Sequence, residues 1–224
     1  MSKISRGDKG EAIVISYLNK IKDYHHLIND ITFVVGKSEM SHQIDHIYIH
    51  PHGVFVIETK NYYGEIISDT HDSFWIKKVN GREDKISNPL KQNKSHAVVV
   101  NRLLDKKYEI IPVVVFVKNN APLILDENVI NLEDLELFIE SHPYQRLLNK
   151  NEIDNAYNIL INNKSDLSKE EHLENISYVK QMKHEFRLEM EYALENNLCP
   201  RCDSKIIQNG NEFSCLRCDF KFKL

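Results

Sequence analysis

The sequence predicts an α/β sandwich with further helices and a small cysteine module behind it. Three observations carry that prediction: apolar residues at helical spacing near the N-terminus, strand-like runs after them, and two C-x-x-C pairs in the last 26 residues. In chain order, Asp8 is a candidate N-cap, and Ala12, Val14, Ile15, Leu18 and Ile21 then recur on one helical stripe, with Glu11 at its N-terminal end. Residues 31–35 read as a first strand. Gln43 to Ile49 and Val54 to Lys60 read as two strands joined through Pro51-His52-Gly53. Phe74 to Val79 is another strand, closed by Asn80-Gly81, a strong hairpin signal.

Asn88-Pro89 supplies a cap and a first-turn proline for a helix whose face is expected to carry Gln92, His96, Val99, Val100 and Leu103. Residues 110–117 form a continuous β-branched run, the signature of a strand buried on both faces. Helices are expected near 132–141 and 150–163. A long polar helix follows over 168–197, with Leu173, Ile176, Val179, Phe186, Met190 and Ala193 on one stripe. The expected domains are 1–125, a helical extension over 126–197, and the cysteine module over 198–224.

The 224 residues allow one sizeable core plus an appendage, and 42% hydrophobic with 28% charged residues is ordinary for a globular chain. No apolar run reaches the length of a membrane span, and the N-terminus opens no signal-like apolar segment, so a cytoplasmic protein without membrane contact is expected. Net charge is -4. Residues 199–224 carry five Lys/Arg against three Asp/Glu, while 168–197 carry four against seven. A protein that neutralises many phosphates displays a basic stripe, and none is visible in this order of residues. That argues against tight, non-specific duplex binding.

Chemistry concentrates where the two central strands end. Glu58 and Lys60 are two apart and share a strand face. A two-residue loop at Pro51-His52 would set Asp45 opposite Glu58, whereas a three-residue Pro-X-Gly loop with a bulge would turn Asp45 to the other face. Charges at the end of apolar strands are costly to bury unless paired or bound to metal. Two carboxylates and an amine there suit metal-dependent phosphodiester cleavage: the acids hold a divalent cation, and the lysine serves a bound water or developing phosphate charge. The plain alternative is a set of surface residues at a fraying strand end. Histidines 42, 46, 50 and 52 invite a transition-metal site, but a cluster at a solvated turn is unremarkable.

Gly10-Glu11, Gln43-Ile44-Asp45-His46, Gly53 through Tyr62, and Asn88-Pro89-Leu90 with Gln92 and His96 together resemble the nuclease-related domain (NERD) family of the PD-(D/E)XK nuclease superfamily, over about residues 5–120. The resemblance implies a restriction-endonuclease-like fold with a central mixed sheet and a Mg²⁺- or Mn²⁺-dependent nuclease acting on DNA. It makes Asp45 and Glu58 metal ligands, helped by the Thr59 carbonyl. Lys60 then serves the attacking water, Glu11 adds an acid, and Gln92 orients the site from the later helix. Ile44 stands where the superfamily's name has proline. For Glu11 an acid in a helix's first turn is equally explained by the macrodipole.

Cys199-x-x-Cys202 and Cys215-x-x-Cys218 stand twelve residues apart, with the turn Asn209-Gly210 between two short strand-like runs. Four thiolates at this spacing make a structural Zn²⁺ ribbon, whose metal supplies much of the folding energy of so small a unit. The module is similar to C-terminal zinc ribbons of bacterial topoisomerases that contact single-stranded DNA. Arg201, Arg217, Lys221 and Lys223 would meet phosphates, and Phe213 and Phe220 would offer stacking surfaces. A protein-binding or purely stabilising ribbon fits the same residues. The competing reading of the whole chain is a catalytically silent nuclease fold that binds nucleic acid or protein through its ribbon. A homodimer seam along 168–197, or a helicase-type partner chain, remains open.

Overall fold

The computed structural model describes residues 5–35, 40–68, 72–122, 128–143, 146–202 and 204–223. The chain divides into two compact units at Ser168. In the first unit, helix α1 (Arg6–Leu18) precedes strands β1 (His26–Val35), β2 (Met40–His50) and β3 (Gly53–Lys60). A three-stranded antiparallel insertion follows, β4 (Glu65–Ile67), β5 (Phe74–Val79) and β6 (Arg82–Ser87). Helix α2 (Pro89–Leu103) then leads to β7 (Ile110–Phe116), β8 (Val129–Asn131), α3 (Leu135–Ser141) and α4 (Lys150–Asn162).

The central sheet has the order β1-β2-β3-β7-β8 and is mixed: β2 runs antiparallel to β3, while β7 is parallel to β3 and to β8. Helix α2 makes the crossover that a parallel β3–β7 pair requires. Alternation along β3 builds both layers. Val54 and Val56 face α2 and α4, packing with Val99, Val100, Ala156 and Leu160. Phe55 and Ile57 face α1 and α3, packing with Val14, Leu18, Leu135 and Ile139. All four β3 side chains are fully buried, each worth about 1.5–3 kcal/mol. This is the expected α/β sandwich.

Local details differ from expectation. Ser5, not Asp8, caps α1: its Oγ accepts the Asp8 N–H at 3.1 Å, and Asp8 Oδ2 accepts the Ser5 N–H at 3.1 Å, a reciprocal capping box. Strand β1 begins at His26, five residues before Ile31. The expected domain boundary at 125 lies outside the described residues, and the division falls at Ser168, because α3 and α4 complete the two hydrophobic layers. Among the described residues, no helix is long and apolar enough to cross a membrane.

The second unit comprises α5 (Lys169–Glu195) and a three-stranded sheet, β9 (Ile206–Asn209), β10 (Glu212–Cys215) and β11 (Lys221–Lys223), in the order β11-β10-β9. Asn209 pairs with Glu212 across the expected turn. Along α5, Val179, Met190 and Ala193 of the expected stripe are buried, but Leu173 and Phe186 are exposed.

Candidate active site and metal centre

The β2–β3 turn decides the site. His50 pairs with Gly53, so the loop is the two residues Pro51-His52. Gly53 has φ +143°, and a Cβ there would stand 2.5 Å from Ile111 Cδ1, so no larger residue fits this turn unstrained. The ladder runs from that pair to His46–Ile57, and one further step sets Asp45 opposite Glu58. Beyond His46 the backbone pairing stops, and Asp45 Oδ2 accepts the Thr59 N–H at 2.8 Å in place of a strand carbonyl.

The orientation of Thr59 follows from the other edge of β3. Val54 N–H donates to Glu109 O, and Lys60 O accepts from Val117 N–H, both at 2.9 Å. Even-numbered residues of β3 therefore turn their backbone groups to β7, and odd-numbered ones to β2. The Thr59 carbonyl thus points to the edge occupied by Asp45.

Glu58 is only 2% exposed. Its Oε1 accepts from Lys60 Nζ at 2.5 Å, and its Oε2 has no hydrogen-bond partner, with His96 Nε2 3.9 Å away. Burial, and then the charge of Glu58, push the Asp45 carboxyl up to about 7, against the opposing pull of the Thr59 N–H and Lys60. Burial by itself would lower Lys60, but the Glu58 carboxylate, with Tyr62 and Asp45, outweighs it and holds the ammonium above its ordinary value. Two crowded oxygen donors, one of them a buried orphan, fit a hard divalent cation.

The two helices reach this strand end differently. Asn93, fully buried in α2, donates through Nδ2 to Val56 O at 2.8 Å and Val113 O at 2.9 Å, tying β3 to β7. His96 is 6% exposed and faces Glu58. Gln92 is exposed, one turn before His96; the inward face of α2 runs through Leu90, Asn93, Ala97 and Val100 rather than through Gln92. Glu11 lies on α1, which covers the face of β3 opposite Glu58. Its helix meets the same strand end, where Asn61 Nδ2 donates to Arg6 O at 2.9 Å.

Sequence reasoning passed over Asn93 and the pair Asn29-Asp30. Asn29 Oδ1 meets His46 Nδ1 at 2.8 Å, and His46 Nε2 lies 3.2 Å from Thr59 Oγ1. Burial lowers His46 to about 4, so it is a neutral buttress of the site. Asp30, at φ +48°, adds a further negative charge that raises Asp45. The available signal was the adjacent Asn29-Asp30 pair interrupting an apolar run, residue types that tolerate a left-handed backbone.

The cysteine module forms a second centre. The four sulfurs lie within 4.8 Å of one another. Cys199–Cys218 and Cys202–Cys215 are 3.6 Å apart, and Cys202–Cys218 is 3.7 Å. A tetrahedral ion with Zn–S bonds of about 2.3 Å places its sulfurs about 3.8 Å apart. Each knuckle also aims backbone N–H groups at sulfur: Arg201 N to Cys199, and Arg217 N and Cys218 N to Cys215. Such bonds stabilise thiolates, and those from Ser204 bring Cys202 down to about 6. Four cysteines close together can bind a metal such as zinc. The four are the one His/Cys/Asp/Glu group so arranged among the described residues, so the histidine-rich turn gathers none.

The ribbon's basic residues are less uniform than expected. Arg201 Nη1 is paired with Asp219 Oδ1 at 2.5 Å, while Arg217 and Lys221 are exposed. Lys223 pairs with Glu212 along β11, and its side chain lies outside the described residues. Phe213 is 6% exposed and forms the ribbon's own core with Ile206 and Cys199; Phe220 packs against it, so neither is an open stacking surface.

Comparison with known proteins bears on the first unit. An uncharacterized protein of Bacillus anthracis, pXO1-01, is 28% identical over 163 residues, covering 70% of this chain and 76% of that one. No solved structure matches the chain. The family model described as nuclease-related domain matches residues 6–117, half of the 224, a span that holds Glu11, Asp45, Glu58, Lys60 and Gln92. The chain belongs to the nuclease-related domain family.

Proposed function

We propose that this protein is a divalent-metal-dependent nuclease that hydrolyses phosphodiester bonds of DNA. The observation that carries the reading is the two-residue turn, which opposes Asp45 to Glu58 and leaves Lys60 Nζ 2.5 Å from the Glu58 carboxylate. Asp45, Glu58 and the Thr59 carbonyl would hold Mg²⁺ or Mn²⁺, and the ion, when bound, acidifies a coordinated water and offsets phosphate charge. Glu58 positions the Lys60 ammonium. Lys60 then orients the nucleophile for in-line attack and stabilises charge gathering on the phosphate oxygens. His96 and His46, both buried, hold Glu58 and Thr59 in place from opposite faces. Glu11 and Gln92 act from the rim, as an added acid and an orienting amide.

The four cysteines would bind Zn²⁺ as a closed structural site, since four thiolates leave no open position for chemistry. The ribbon's Arg201, Arg217, Lys221 and Lys223 aid nucleic-acid binding in this reading, and its free thiols belong in a reducing compartment such as the cytoplasm.

The test is cleavage of single- and double-stranded DNA with added Mg²⁺ or Mn²⁺ by the unaltered chain, Asp45→Ala and Lys60→Ala. Each substitution is expected to slow cleavage by about a hundredfold or more. No cleavage by the unaltered chain on any substrate, or equal cleavage by the variants, would remove the catalytic claim.

A further inference from the structure

The acidic chain shows no basic stripe in its linear order, yet folding assembles one beside Lys60. A groove of about 520 Å³ is lined by Arg6 of α1, Tyr63 after β3, and Lys77, Val79, Arg82 and Asp84 of the β5–β6 hairpin. The Arg6 guanidinium and the Lys118 ammonium each stand 4.9 Å from the centre of the Tyr63 ring. Neither has an ion-pair partner among the described residues. Lys77 and Arg82 share the one carboxylate of Asp84, at 3.4 and 3.0 Å, which leaves a surplus positive charge. Tyr63 itself is 51% exposed.

The groove is anchored to the catalytic strand end. Arg6 O accepts from Asn61, the residue after Lys60, and Lys60 O accepts from Val117, the residue before Lys118. The turn bearing Tyr63 is fixed as well. Asn120 Nδ2 donates to Gly64 O at 2.6 Å, and a Cβ at Gly64 would lie 2.1 Å from Lys78 O, so the loop is pressed on β5.

We infer that this groove is the path of the substrate strand, occupied by single-stranded DNA whose phosphates meet Arg6, Lys118, Lys77 and Arg82 and one of whose bases stacks on Tyr63. The inference rests on the nuclease reading for its substrate, but not for its binding chemistry. Positive charge around an exposed aromatic is the arrangement that holds an unpaired strand. A cation resting on an exposed ring is bound more weakly than a stacked base, so the cations exchange from ring to phosphate as the base arrives. A base within a duplex presents no open face to Tyr63, which is why the occupant is unpaired.

The test is fluorescence anisotropy of labelled oligodeoxythymidine with the full chain, without added Mg²⁺ or Mn²⁺ so that nothing is cut. Tyr63→Ala is expected to weaken binding about fivefold or more, and Tyr63→Phe less than twofold. The double variant Arg6→Ala/Lys118→Ala is expected to flatten the log–log salt slope by about 1.4, or 0.7 per phosphate contact. An oligonucleotide carrying 5-bromodeoxyuridine should crosslink to the peptide containing Tyr63.

Binding by Tyr63→Ala within twofold of the unaltered chain, with crosslinks confined to 198–224, would overturn the groove. Equal affinity for duplex would overturn its preference for an unpaired strand, and equal affinity for oligouridine would overturn the assignment to DNA. The two readings fail separately. A chain that binds through Tyr63 but never cuts loses only the nuclease, and a chain that cuts while ignoring Tyr63 loses only the groove.

Discussion

Replacing Lys60 by methionine should expose how strongly the site is held together by charge. Glu58 is 2% exposed, Lys60 Nζ touches its Oε1 at 2.5 Å, and Oε2 has no hydrogen bond. Methionine leaves a buried carboxylate without its cation, a loss worth about 3–5 kcal/mol in comparable buried pairs. The lower end, about 3 kcal/mol, applies here, because the Lys60 side chain is 15% exposed and His96 lies 3.9 Å from Oε2. For a unit of this size that is about 6–12 °C in midpoint. Trp75, the single tryptophan, is 1% exposed in the first unit, so its fluorescence during urea unfolding reports on that unit without interference from the ribbon. Glu58→Gln/Lys60→Met should recover to within about 1 kcal/mol of the unaltered chain, because the double variant no longer buries the Glu58 carboxylate and also relieves the repulsion between Glu58 and Asp45. A loss below about 1 kcal/mol in Lys60→Met, or a double variant equal to the sum of the singles, would refute the claim that this pair is desolvated and coupled.

Three further outcomes follow from the same structure. His50 is fully buried, and burial above all lowers it to about 4. Only the unfolded chain takes up this proton between pH 6.5 and 4, so the stabilisation is complete above 6.5 and is lost as pH falls; from pH 7 to 5 the chain should lose about 2 kcal/mol more than His50→Gln, and equal losses in urea titrations would contradict this. Cys215→Ser should reduce zinc, measured by plasma mass spectrometry, from one per chain to well below it, and should open the β9–β11 sheet to proteolysis while leaving the Trp75 transition in place; full zinc retention would refute the four-thiolate site. Asn93→Ala leaves Val56 O and Val113 O without their side-chain donor and should cost about 2 kcal/mol by the same fluorescence assay, with a change under 0.5 kcal/mol counting against the strap.

The sequence was most legible where side-chain patterning and backbone chemistry agree. The apolar run from Val54 to Ile57, the breaker Pro51-His52-Gly53, and the β-branched 110–117 segment each permit few arrangements, and together they yield the mixed sheet. Legibility failed where a polar residue is buried for its hydrogen bonds. Helical spacing from His96 and Val99 places Gln92 at the start of the α2 face, and nothing in a one-dimensional pattern announces that its equally polar neighbour Asn93 will be sunk against two strand carbonyls. In β1, Ile28 and Ile31 pack in the same layer although three residues apart, because Asp30 at φ +48° breaks the two-residue alternation. Phe213 does not serve as a stacking surface because so small a ribbon has few apolar side chains from which to build a core, and Phe213 is buried in it with Ile206 and Cys199. The basic groove was invisible for a different reason. Its cations come from α1, the insertion and the end of β7, and only the fold brings them to one ring.

Asp45 has two duties, and they can be separated. Its Oδ2 takes the Thr59 N–H that would otherwise continue the β2–β3 ladder, so it closes a backbone bond as well as presenting charge opposite Glu58. Asparagine keeps an acceptor oxygen for that N–H and removes the repulsion from Glu58, one of the causes of the raised Asp45 carboxyl. Alanine removes both. Asp45→Asn should therefore be at least as stable as the unaltered chain, and Asp45→Ala less stable than Asp45→Asn by about 1–2 kcal/mol, by Trp75 fluorescence in urea. Both should lose metal-dependent cleavage, since neither offers an anionic ligand. If Asp45→Asn were destabilised as much as Asp45→Ala, the carboxylate would be held by attraction, as an ordinary structural ion pair, and the strand end would have no reason to be poised for a cation.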